Sequence, residues 1–88
     1  MEEELKRLGI EQEGQEGKDG SYVITIKNSD EWGKIFSKLD NSDLEEMEEN
    51  SLLTDNNSSL MFRSDNYQYN LLADFSANEY KLVITKRG

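Results

Sequence analysis

Hydrophobic residues recur at every second position in three stretches of the chain and at helical spacing in a fourth. Tyr22, Ile24 and Ile26 alternate with Val23, Thr25 and Lys27, the period of a half-buried strand rich in β-branched side chains. Tyr67, Tyr69, Leu71, Ala73 and Phe75 alternate along a longer stretch, and Tyr80, Leu82 and Ile84 along a third. Trp32, Ile35, Phe36 and Leu39 fall at steps of three, one and three, which places them on one helical face. Asn28 or Ser29 caps that helix, and Glu31 completes a capping-box spacing with Asn28. Trp32 reads as core: two large aromatics one turn apart are what a small sheet needs to cover it.

Ser42-Asp43-Leu44-Glu45 repeats the capping spacing and predicts a second short helix through about Asn50, with Leu44 and Met47 inward. Leu52 and Leu53 continue the apolar signal up to the turn cluster Asp55-Asn56-Asn57-Ser58-Ser59. A short strand is expected over 60–64. Asp65-Asn66 and Ser76-Ala77-Asn78-Glu79 then separate it from the two longer strands. Short loops between consecutive strands imply an antiparallel meander. The predicted order β-α-α-β-β-β is a small single α+β domain over 21–88, with an antiparallel sheet of about four strands and one or two short helices packed on one face.

Residues 2–8 suit a short helix with Leu5 and Leu8 on one side. From Gly9 to Gly20 there are four glycines, Ile10 is the sole apolar residue, and Lys18-Asp19-Gly20 reads as a turn. Residues 1–20 are therefore expected to form a flexible acidic arm.

Composition narrows the chemistry. The 88 residues include 19 acids and 10 bases, a formal charge of −9, with no His and no Cys. Such a surface repels phosphate and anionic lipid, so neither direct nucleic-acid binding nor membrane docking is expected. Without Cys there is no disulfide framework or thiolate nucleophile, and without His the commonest general base and metal ligand is missing. Leu, Ile, Val and Phe supply only 20 residues, a thin core of the kind that often gains stability from a second copy, so a homodimer is one expectation. The start of the chain is acidic where a signal peptide would be basic and then apolar, and no apolar run approaches the roughly 20 residues of a spanning helix. A cytoplasmic protein is expected. Eight Asn, nine Ser and no Pro suggest an AT-rich coding sequence, as in many phages and Gram-positive bacteria.

The catalytic and metal patterns fail on inspection. A glycosidase-type carboxylate pair needs a cleft that so short a chain rarely builds, and Asp74 alternates away from the Tyr67–Phe75 face toward solvent. Calcium loops starting at Asp40 or Asp55 place Glu45 or Leu60 where the loop glycine belongs. The Gly9–Gly20 stretch does not join a strand to a helix and carries four acids, so it would repel a phosphate. No enzyme, cofactor or metal is expected.

Charge is unevenly distributed. Residues 1–20 carry −4 and residues 39–62 carry −7, whereas 21–38 and 63–88 are each +1. Asp40, Asp43, Glu45, Glu46, Glu48, Glu49 and Asp55 make up the −7 without one intervening base. On the predicted second helix, Glu45, Glu46, Glu48 and Glu49 would be like-charged neighbours about 5–6 Å apart, each pair costing a few tenths of a kcal/mol. A local rule broken without compensation points to function. These seven carboxylates are candidate phosphate surrogates of a DNA mimic. Such a protein, phage- or mobile-element-encoded, would inhibit a host protein by blocking its basic DNA-binding surface: a nucleoid protein such as HU, a defence-system nuclease, or RNA polymerase. The alternative is a non-catalytic structural or adaptor module whose protein partner binds a sheet edge or a tyrosine-rich face of Tyr67, Tyr69 and Tyr80.

Overall fold

The computed structural model describes residues 2–17 and 19–87; Lys18, at the start of an expected turn, lies outside them. In chain order the elements are α1 (Glu2–Leu8), β1 (Gln15–Glu16), β2 (Tyr22–Ile26), α2 (Ser29–Asp40), β3 (Glu45–Glu46), a 3-10 turn at Glu48–Asn50, β4 (Leu52–Leu53), β5 (Asn57–Arg63), β6 (Tyr67–Asp74) and β7 (Glu79–Lys86). All strand pairs are antiparallel. The sheet runs β1-β2-β7-β6-β5-β3, with β4 lying beside β3 along the outer side of β5. The α+β class and antiparallel sheet follow the pattern of the sequence. The four expected strands are the four long ones, and three two-residue strands bring the sheet to seven among the described residues.

Register explains why the long strands form where they do. Ile24 pairs with Leu82, Leu82 with Leu71 and Leu71 with Leu60, so one row of aliphatic side chains crosses the whole sheet. The next row is Tyr22, Ile84, Tyr69 and Phe62. Both rows point at the helices, and Ile24, Leu71, Leu82, Ile84 and Tyr69 are fully buried. The period of two selects one face, and burial of that face fixes the register. From α2, Ile35 and Leu39 are buried against it. Trp32 stacks on Phe36 with centroids 6.0 Å apart and meets Phe75 edge-on at 5.7 Å, covering the sheet's end. The Asn28 side chain accepts the Glu31 N–H at 2.9 Å, as the capping spacing requires.

The second expected helix is absent. Ser42 closes α2 instead of opening a new helix: its hydroxyl donates to Leu39 O at 2.6 Å. The chain then runs along β5, pairing Glu45 with Arg63 and Glu46 with Phe62. Met47 N–H donates to Met61 O at 2.7 Å. The Ser51 hydroxyl donates to Met47 O at 3.0 Å and accepts Met61 N–H at 3.2 Å, pinning the segment. A helix would have stacked Glu45 on Glu48 and Glu49. Pairing with β5 avoids that repulsion and supplies a counter-charge. The expected turn cluster is also shorter than its composition suggests, because β5 already begins at Asn57.

The first twenty residues, expected as a flexible arm, contribute to the core. Leu5, Leu8 and Ile10 are buried with the sheet residues. Gly9, at φ +77°, reverses the chain after α1, and Ile10 N–H returns to Leu5 O at 2.9 Å. Gly14 lies so close to β2 that a Cβ there would sit 2.5 Å from Val23 O. Its N–H donates to the Tyr22 hydroxyl at 2.9 Å. The glycine is needed for close approach. Because both helices cover the same face, the opposite face of the sheet is open and carries half-buried Val23, Val83, Leu72 and Met61.

Candidate functional site

Of the seven candidate acids, four come together and three do not. Glu45, Glu46, Glu48 and Glu49 border one depression of about 350 Å³ at the β3 edge, with Met47 and Arg63. They are held by the β3–β5 pairing and by the hydrogen bonds of Met47 and Ser51, so the expected helical row is replaced by a short strand and a 3-10 turn. Leu44, packed on the core, tethers the segment from within. Asp40 ends α2 and is exposed. Asp55 sits in the turn before β5, about 20 Å from Glu45 by the rise of the intervening strand. Asp43 is turned toward α1.

Arg7 and Arg63 temper this acidic surface, and neither is near it in sequence. Arg7 bridges Glu4 and Asp43, both at 2.6 Å. Arg63 Nε donates to Glu45 at 3.1 Å. The Arg7–Asp43 and Arg63–Glu45 pairs are solvent-exposed and contribute little to stability, whereas Glu4 is partly buried. Their larger effect is on the map: Asp43 and Glu45 are partly neutralised, leaving Glu46, Glu48 and Glu49 as the acids of the edge without an ion pair among the described residues.

Glu4 links the helix to the core. The hydroxyl of buried Tyr69 donates to its carboxylate at 2.6 Å. Hydrogen bonding from Arg7, then from Tyr69, holds the Glu4 carboxyl below the usual carboxylate range despite partial burial. The Arg7 hydrogen bond does the same to Asp43. Burial, followed by the Glu4 hydrogen bond, pushes the Tyr69 phenol up and keeps it protonated as a donor. This group of residues is structural in character.

The open face offers a different environment. A depression of about 710 Å³ there is lined by Thr25, Ser59, Leu72 and Lys81, with Asp74 and Glu79 at one end. Asp74 accepts from the Ser76 hydroxyl at 2.8 Å and from Ala77 N–H at 3.1 Å, which lower its pKa. That is the chemistry of a turn cap. Among the described residues no group of three or more His, Cys, Asp or Glu could hold a metal ion, and no helix is long and apolar enough to cross a membrane. Of the three tyrosines considered for a binding face, Tyr69 and Tyr80 are buried and Tyr67 is half-buried.

Leu52 and Leu53, which continue the apolar signal of the sequence, lie outside the core. They are 59% and 72% exposed. Turn-forming or acidic residues on both sides of the pair were the available signal. No protein-family model matches the chain, and no curated protein or solved structure shows significant similarity to it.

Proposed function

We propose that this protein is a non-catalytic acidic inhibitor that acts as a DNA mimic, binding a basic protein surface that otherwise holds nucleic acid. The observation that supports this reading best is the convergence of Glu45, Glu46, Glu48 and Glu49 on one depression at a sheet edge. Backbone pairing holds them, so less conformational entropy is lost on binding than for a tail of equal charge. Charge-driven capture of this kind is fast and weakens with salt.

The test is displacement. Fluorescent duplex DNA is bound separately to HU, to RNA polymerase and to a CRISPR nuclease, and the chain is titrated into each complex. Release of duplex from at least one is expected, lost when Glu45, Glu46, Glu48 and Glu49 are all changed to Lys. Release from none, or equal release by that variant, contradicts the proposal.

A second reading, an adaptor whose partner packs on the sheet, draws on the open face and its half-buried Val23, Val83, Leu72 and Met61. It predicts salt-insensitive binding that Val83→Arg abolishes.

A further inference from the structure

Among the described residues, Leu52 and Leu53 are the two large hydrophobic side chains left exposed, and they are adjacent. Single exposed leucines are ordinary. Two in succession on an edge strand are a liability that sequences usually avoid or cover. Here they constitute β4, paired with β5 through Leu52–Ser59 and Leu53–Ser58, with no strand on the outer side. Thr54 N–H donates to Asn57 O at 2.8 Å and anchors the strand's end. Both leucines are therefore held in place, one on each side of the sheet edge, since strand side chains alternate.

Their chain neighbours set the chemistry of what can cover them. Glu48 and Glu49 precede the pair, Asp55 follows it, and no Lys or Arg occurs from Leu39 to Phe62. A second copy seated on β4 would bring these carboxylates against their own counterparts. A groove of opposite charge would not.

We propose that Leu52 and Leu53 are the apolar anchor of the acidic edge, and that the surface it takes is a protein groove with an apolar floor and a rim of Lys and Arg. The inference rests on the basic-partner reading above and extends it. The carboxylates steer and orient the encounter, and the leucines slow dissociation once the groove closes over them. A binding edge of carboxylates alone would be fully salt-labile. One with an apolar pair and a charged rim has the general anatomy of a protein–protein interface.

Two short peptides of equal length and charge provide the test, one alternating Lys with Leu and the other Lys with Ser, with binding read by fluorescence anisotropy at about 0.15 M salt. The wild-type chain should bind the Lys/Leu peptide roughly tenfold tighter than the Lys/Ser peptide. The double variant Leu52→Ser, Leu53→Ser should lose most of that preference while keeping its circular dichroism and melting temperature. If that variant unfolds, Leu53→Ala alone should still reduce the preference. Glu48→Gln with Glu49→Gln should weaken both peptides alike. A preference untouched by the leucine substitutions overturns the anchor and leaves the basic-partner reading standing. Binding untouched by the glutamate substitutions, or no binding to either peptide, overturns both. A wild-type dimer that becomes monomeric on Leu52→Ser, Leu53→Ser would assign the leucines to a second copy and overturn the anchor.

Discussion

The two central strands and the segment from Asn41 to Asn56 are built on opposite principles. In β6 and β7 the core claims alternate residues over most of each strand, and Tyr69, Leu71, Ala73, Tyr80, Leu82 and Ile84 are buried. Eight register pairs bind the strands to one another. In the segment from Asn41 to Asn56 none of the described side chains is fully buried, and Leu44 alone is packed against the core. The segment is held by two pairs on β3, two on β4 and the hydrogen bonds of Met47, Ser51 and Thr54. One region supplies stability, and the other is presented on it. The presented region also holds six of the acids and both exposed leucines.

The contrast is broken most sharply by removing matched side chains from the two regions. Leu71→Ala should cost about 2–5 kcal/mol of unfolding free energy, because the site is closed on every side. Leu53→Ala should lie within about 0.5 kcal/mol of wild type. Urea titration of the two variants checks both numbers, and similar losses would mean that β4 is part of the core.

A smaller loss is expected at Gly14, where the added methyl of Gly14→Ala meets the Val23 carbonyl. Overpacking of this kind costs about 1–3 kcal/mol. The test separates a packed N-terminal segment from a loose one: a mobile arm would accept alanine without loss of melting temperature.

A further effect is electrostatic. Glu4 is held below its ordinary value of 4.5 by Arg7 and Tyr69. Its contribution is therefore complete above that ordinary value and disappears as pH falls through the lowered one. Glu4→Gln should cost about 1 kcal/mol at neutral pH and flatten the acid limb of the stability profile. An unchanged acid limb would remove the Glu4–Tyr69–Arg7 group from the account.

How much of this was legible in the sequence follows the same division. Tyr22–Ile26, the face of α2 and the alternation of β6 and β7 could be read because their signals are local and agree with their burial. Ser42 to Asn50 could not. Its capping spacing is a weak local preference, overridden by partners on β5 that lie 18 residues away at Arg63. The packing of the N-terminal segment was not legible for a similar reason. Its glycines resemble those of a disordered linker, and the need for Gly14 becomes visible only when β2 is beside it. The acids themselves were plain in the sequence, and four of them do meet. Their counter-charges were not, since Arg7 reaches Asp43 across 36 residues.

On the proposed reading the acidic edge serves binding and is dispensable for folding. Unfolding free energy and DNA displacement measured on one variant, Glu46→Gln with Glu48→Gln and Glu49→Gln, test it most directly. Stability equal to or a few tenths of a kcal/mol above wild type, together with displacement lost at physiological salt, is the predicted result. Undiminished displacement by a stably folded variant would contradict it.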